Sequence, residues 1–237
     1  MELLKHEEFV GLIRNLTDLR VGGTADAAGI GDMDNPIIKH PVTNTPYIPG
    51  SSVKGKLRSL LEQKYRAGDR ESAVASFGKP CDCGKCFVCS LFGCGATGSN
   101  SKDKDIRPTR VIFRDAHVSA ESAKVLAQAL PGANALARTH TAINRRTGRI
   151  QDGSLHTVEA VPADTTFDFS FTVRVFKEDI PQLAEWYAKL AEAFEMLERD
   201  ALGGCGSRGY GRVRITDSDG KTPMRDVLLA KAKEAKS

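Results

Sequence analysis

Aromatic side chains are scarce in this chain, at 6% of 237 residues with a single tryptophan. A broad stacking platform for nucleobases needs several exposed rings and is therefore not expected. No apolar run approaches the roughly 20 residues that a membrane-spanning helix requires. The opening residues, MELLKHEEF, are too polar for a secretory signal, so a cytoplasmic protein with no membrane attachment is expected. Charge of one sign is not in large excess either: a net +4 fits an ordinary solvated surface as well as a nucleic-acid partner. With 41% hydrophobic and 27% charged residues, the composition is that of a globular protein long enough for one large core.

What is present is clustered. Arg138, Arg145, Arg146 and Arg149 fall in one acid-free stretch, and Lys54, Lys56 and Arg58 form another. Of six cysteines, five lie between Cys81 and Cys94. In a chain read as cytoplasmic, such clustering favours metal over disulfides. The run CDCGKCFVC places Cys81, Cys83, Cys86 and Cys89 in a C-x-C-x-x-C-x-x-C spacing, and short C-x-x-C turns present paired thiolates to tetrahedral zinc. A structural zinc is the reading; Cys94, Cys205 or His40 could replace Cys81 as a ligand, and iron–sulfur is a minor alternative.

The pattern of periods gives an α+β order. Residues 8–21 read as a strand and 22–50 as a long, proline-stiffened loop. Val53, Leu57, Leu60 and Leu61 are spaced as a helix, with Ser51 or Ser52 as its N-cap. Residues 66–108 read as irregular, 110–118 as a strand, 120–130 as a helix, and 132–162 as a basic hairpin or extended arm. TTFDFSFTVRVF is the clearest strand, with Phe167, Phe169, Phe171, Val173 and Val175 on one face. A helix follows over about 180–199, with Leu183, Tyr187, Leu190, Phe194 and Leu197 as its apolar stripe and Trp186 as a packing residue. YGRVRIT is a further strand and 222–235 a terminal helix. This order suits a split βαβ domain with its helices on one face of an antiparallel sheet.

Two apparent motifs fail on context. Gly204-x-Gly206-x-x-Gly209 has the letters of a dinucleotide fingerprint, but a helix precedes it and a strand follows, the reverse of what that site needs. GSSVKGK lacks the order of a phosphate-binding P-loop. The glycine segment is either a connection needing positive φ angles or a bare loop that a phosphate approaches, with Arg208 to pair it. At 51–58 a helix start carries Lys54 and Arg58 four residues apart, which makes either a phosphate cradle or a solvated helix end. Upstream, Asp26, Asp32 and Asp34 are either turn formers or carboxylates that hold a divalent ion or orient a 2′-hydroxyl beside bound RNA.

Residues 19–61, together with LFG at 91–93, RVIFRDAHVS at 110–119, TTFDFSF at 165–171 and LGGCGSRGYGRV at 202–213, resemble the repeated RAMP-superfamily backbone subunit of the type III-A CRISPR effector, the Csm complex. The resemblance implies a single modified ferredoxin-like (RRM-like) RAMP domain, with a zinc-binding insertion at 66–108 and a thumb hairpin at 134–160. It implies copies stacked along guide RNA, association with other Csm subunits, and cutting of complementary target RNA at regular intervals by a reaction that uses a divalent cation, Mg2+ being the expected one. The family's catalytic aspartate maps to Asp34, with Pro36 after it, and Asp32 ranks second. RNA contacts map to Arg20, to Ser51, Ser52, Lys54, Lys56 and Arg58, to Arg138, Arg145 and Arg146 of the thumb, and to Gly206, Arg208 and Gly209. Arg20 stands where many relatives have a histidine, which keeps phosphate binding and removes a general base. Two further readings remain: a RAMP endoribonuclease that processes guide precursors through histidine chemistry, and a non-catalytic RNA-binding scaffold.

Overall fold

A computed structural model describes residues 1–22, 36–65, 79–81, 83–94 and 108–236. Its frame is an antiparallel sheet in the order β2-β4-β7-β1-β8, with β3 also paired to β7. The strands are β1 (Leu3–Asn15), β2 (Tyr47–Ile48), β3 (Val111–Phe113), β4 (Ala116–Val118), β7 (Thr166–Phe176) and β8 (Val213–Asp217). Two more, β5 (Leu136–His140) and β6 (His156–Ala160), form a separate hairpin. The helices are α1 (Gly50–Tyr65), α2 (Phe87–Phe92), α3 (Ala120–Ala129), α4 (Ile180–Arg199) and α5 (Met224–Glu234).

Both β1 and β3 run antiparallel to β7, so α1 connects two parallel strands with a third inserted between them. The β7–α4–β8 unit repeats the device around β1. That interleaving is the ferredoxin-like arrangement expected from the order of periods. Its cause is legible in β7, where alternate Phe167, Phe169, Phe171, Val173 and Val175 are all buried and Asp168 is exposed. Phe9 lies opposite Phe171 in register and stacks on it, with ring centroids 4.8 Å apart. Phe194 of α4 closes over Phe171 at 5.5 Å. Each such ring removed from water is worth about 1.5–3 kcal/mol, which makes this cluster the anchor of helix on sheet.

The structure corrects four local expectations. β1 begins at Leu3 and stops at Asn15, earlier at both ends than the apolar pattern of 8–21 indicated, because Asn15 is buried and turns the chain by donating its side-chain amide to the carbonyls of Thr17 and Pro162. Neither serine caps α1. The helix starts at Gly50, whose N–H donates to Asp115 Oδ1 at 2.8 Å, while the Pro49 carbonyl accepts from Ser52 and Val53. The strand read over 110–118 is broken into β3 and β4. A short helix, α2, stands inside the segment read as irregular, with Cys86 as its N-cap.

Candidate nucleic-acid interface

The open face of the sheet carries His6, Glu8, Val10, Leu12 and Arg14 on β1 beside Arg174, Thr172, Ser170 and Asp168 on β7. No Phe, Tyr or Trp stands in that row, so the base-stacking mode of RNA-recognition sheets has no platform here. Polar and cationic groups gather instead where α1, the end of α4 and the glycine-rich loop meet.

That loop is fixed by backbone contacts rather than by side chains. Gly204 N–H donates to the Arg20 carbonyl at 2.7 Å, Gly211 N–H to the Asp18 carbonyl at 2.9 Å, and Leu202 N–H to the Gly211 carbonyl at 2.8 Å. A Cβ at Gly203 would lie 2.2 Å from the Arg20 carbonyl oxygen, and one at Gly211 would lie 2.1 Å from that of Leu202. Glycine is obligatory at both places, each also at positive φ. Between them, Gly206–Arg208 forms a single 3-10 turn flanked by Cys205 and Gly209 in the left-handed region. Arg208 projects from this turn into solvent. Arg20 sits beneath the loop, its Nη1 4.0 Å from Cys205 Sγ.

A cleft of about 920 Å³ opens beside the loop, lined by Thr17, Lys56, Glu198, Arg199, Asp200, Ser207, Gly209 and Tyr210 among others. Lys56 pairs with Asp200 at 3.0 Å. Burial works against the Asp200 carboxylate, but the Lys56 and Ala201 N–H bonds and the Lys56 charge outweigh it and hold the group below its ordinary range. Lys54, on another face of α1, is half-buried. Burial first, then the charges of Arg58 and Arg174, lower its pKa. An arriving phosphate would relieve that crowding.

Several cations assigned to RNA already have partners within the chain. Arg58 Nε bonds Glu62 Oε1 at 2.9 Å, and its Nη2 donates to the Cys81 carbonyl. Glu62 in turn accepts the Cys81 N–H at 2.8 Å. Arg58 thus ties α1 to the cysteine run. Arg138 pairs with Asp18 at 2.8 Å, and Asp18 also accepts the Ala163 N–H. Arg145 and Arg146 are exposed at the far end of the β5–β6 hairpin. Ser51 is exposed and Ser52 half-buried in the first turn of α1. Asp34, with Asp26 and Asp32, lies outside the described residues.

The four cysteines converge. Their sulfurs all lie within 4.8 Å of one another, with Cys81–Cys86 and Cys83–Cys89 both at 3.9 Å. Tetrahedral zinc with Zn–S bonds of about 2.3 Å places its sulfurs about 3.8 Å apart, so this donor set fits that ion. Backbone N–H groups of Cys86 and Cys89 point at the sulfurs of Cys83 and Cys86, each at 3.4 Å. The Cys89 thiol foremost, and then the Cys89 N–H, pull the Cys86 thiol down to about 4 against the effect of burial, while the bond to Cys86 pushes Cys89 up and burial pushes Cys81 up. Cys94, Cys205 and His40 stand outside the group.

The structure also assembles residues that the sequence did not single out. Glu159 of β6, 7% exposed, accepts the Ile37 N–H at 2.9 Å and pairs with Lys39. An acid inside the otherwise apolar VEAV of 158–161 was the available signal. His140 Nε2 lies 2.8 Å from the Tyr210 hydroxyl, and the His140 and His156 rings face each other at 5.6 Å. These residues are 70 and 16 positions apart, and pairing of β5 with β6 alone brings the histidines together.

Comparison with known proteins places this architecture. The family model of the RAMP superfamily matches residues 12–214. The chain is 35% identical over 210 residues to the CRISPR system Cms endoribonuclease Csm3 of Methanocaldococcus jannaschii, covering 87% of this chain and 77% of that protein. It is 36% identical over 207 residues to the Csm3 of Streptococcus thermophilus, covering 87% and 85%, and 37% identical over 229 residues to that of Methanothermobacter thermautotrophicus, covering 91% and 85%. Among solved structures it resembles a chain of a Csm3-Csm4 subcomplex in the type III-A CRISPR-Cas interference complex, with TM-score 0.58 and 25% identity over 99% of this chain and 98% of that one. The Methanopyrus kandleri Csm3 crystal structure shares the fold at TM-score 0.58 and 22% identity, over 89% and 75%. With its interleaved sheet, its glycine-rich loop and relatives matched over most of both lengths, the chain belongs to the RAMP superfamily and, within it, to the Csm3 endoribonuclease family.

Proposed function

We propose that the chain is the repeated backbone subunit of a type III-A CRISPR ribonucleoprotein, binding guide RNA in the cytoplasm and cutting complementary target RNA at regular intervals. The observation that carries this reading is the match to endoribonucleases named Csm3 across most of both chains, together with a cationic cleft at a loop whose backbone is bare. Copies of the chain stack along the guide, and other Csm subunits complete the assembly. Contact with the guide falls to Lys54, Lys56, Arg208, Arg20 and the Ser51–Ser52 turn, with Gly206 and Gly209 admitting the strand closely. The β5–β6 hairpin is the thumb of 134–160, and its Arg145 and Arg146 meet the guide–target duplex. The insertion of 66–108 is held by a structural zinc on Cys81, Cys83, Cys86 and Cys89.

Cleavage falls to Asp34, acting with a divalent cation. Arg58 is mostly buried against Glu62 and the Cys81 carbonyl, so its part is to hold the cysteine run in place, while Arg138, exposed beside Asp18, joins Arg145 and Arg146 in meeting the RNA. The deciding experiment is cleavage mapping on a guide-matched RNA with the assembled complex: evenly spaced products from wild type, absent from Asp34→Ala, are expected. Unchanged products from the variant move the chemistry elsewhere.

One observation favours a second reading. His140, His156 and Tyr210 stand together at the hairpin base, a constellation suited to metal-independent proton transfer. Precursor processing by these residues would continue in EDTA, whereas target cutting of the first kind would stop.

A further inference from the structure

Beyond the glycine loop the chain enters β8 with the sequence GRVRI. Strand alternation buries Val213 and Ile215 and leaves Arg212 and Arg214 exposed on the opposite side. Among the described residues neither guanidinium has a hydrogen-bond or ion-pair partner. The acids around them are already engaged. Glu195 holds Arg199 at 2.6 Å and Arg225 at 3.6 Å, Glu198 accepts the Ile215 N–H at 2.7 Å, and Asp200 holds Lys56. Arg214 also faces Arg14 directly across the β1–β8 ladder, and Asp164 neutralises only Arg14, at 2.8 Å. Like charges opposite one another on adjacent strands cost stability, and among the described residues Asp164 relieves only the Arg14 side of this pair.

The recess that holds this pair has a volume of about 210 Å³ and shares Glu198, Arg199 and Arg212 with the larger cleft. The two form one continuous path from the glycine loop along β8. Two residues along a strand span about 6.8 Å, comparable to the step between successive phosphates of an extended single strand. A protein partner is disfavoured on two counts. Glu198 occupies an outward N–H of the edge strand β8, which blunts strand addition, and the lining lacks the apolar anchors that protein interfaces use.

We propose that Arg212 and Arg214 form a phosphate track that extends the glycine-loop cleft and takes the sugar–phosphate backbone of single-stranded RNA leaving it. The track rests on the RNA-binding reading above and deepens it. The experiment is a salt titration of a labelled single-stranded RNA against the full-length chain. Arg212→Gln with Arg214→Gln lowers the slope of log affinity against log salt by about 1.4, the value for two phosphates of a single strand. The paired lysine variant keeps the slope, and no variant melts below the wild type. Lys124→Gln with Lys221→Gln, which removes equal charge elsewhere on the surface, leaves the slope unchanged. An equal loss from that control reduces the effect to net charge and overturns the track. So does an unaltered slope in the Arg212/Arg214 variant, including one accompanied by lost self-association. If the Arg212/Arg214 variant keeps the slope while Lys54→Ala lowers it, the track fails and RNA binding at α1 stands; wild type with no salt-dependent binding sinks both.

Discussion

The Glu159 carboxylate accepts the Ile37 N–H at 2.9 Å, joining strand β6 to the backbone three residues past Asp34. Lys39 closes the same carboxylate from the other side and reaches the Ala133 carbonyl at 3.3 Å. The hairpin and the segment leading from Asp34 therefore share one buried anchor. Glu159→Ala leaves the buried Ile37 N–H without its partner and takes the carboxylate from the half-buried Lys39, at a cost of about 1–3 kcal/mol. Glu159→Gln keeps an acceptor for Ile37 and loses only the ion pair. Target cleavage in the assembled complex should fall in the order wild type, Gln, Ala, with guide binding retained; equal cleavage in all three means that the anchor is structural alone.

Asp34→Ala should abolish target cutting and leave guide affinity intact, measured on the same assembled preparation. Asp32→Ala should cut near the wild-type rate. Reversal of the two results would exchange their roles.

The cysteine group should carry one zinc per chain, read by elemental analysis of purified protein. Cys83→Ser or chelation should lower the melting temperature, because binding of the ion by the four sulfurs contributes folding free energy that is lost with a ligand or with the ion. Arg58→Ala should act in the same direction, since it frees the Cys81 carbonyl. A fully folded preparation without metal ends the claim.

Lys54 gives a pH signature. Its pKa is lowered in the folded protein by burial and by Arg58 and Arg174. Between that depressed value and the ordinary one, the unfolded chain binds more protons, so stability rises with pH across this alkaline window. A bound phosphate raises the value again, so RNA affinity should weaken as pH climbs through the window. Lys54→Arg should remove that weakening, because arginine stays charged, and Lys54→Ala should lower the salt slope by about 0.7. A pH-independent affinity in wild type removes Lys54 from the interface.

The fully buried Arg110 makes a two-pronged bond to Asp179, at 2.7 and 2.8 Å, against the rings of Phe176 and Trp186. Removing one partner strands a charge, so Arg110→Ala should cost about 3–5 kcal/mol. Replacing both with apolar residues, as in Arg110→Met with Asp179→Leu, should recover most of it. Denaturant melts of the single and double variants would show whether it does.

The sheet was written locally. Alternation in 165–176 and the 3.6-residue stripe of 180–199 each specify an element and the face it buries, because a strand or helix needs only its own spacing to hide a row of rings. The convergence of four thiols was legible for the same reason, since their spacing falls within nine residues. The cap of α1 was not. Asp115 supplies it from 65 positions away, and no reading of Ser51 and Ser52 could find it. The bonds of Arg58 to the Cys81 carbonyl and of Arg138 to Asp18 were hidden likewise, because they depend on what the fold delivers, whereas the Arg58–Glu62 pair is four residues apart on one helix and was readable.

By itself the sequence determined the long strand of 165–176, the helix of 180–199, the grouping of four cysteines and the family resemblance. Short-range periodicity and motif spacing are properties of the chain before it folds. Tertiary structure alone decided which cations face solvent, that Glu159 clamps Ile37, and that His140 meets Tyr210. Those pairings join residues 70 to 122 positions apart, and their energy exists only once the core has closed the intervening loops.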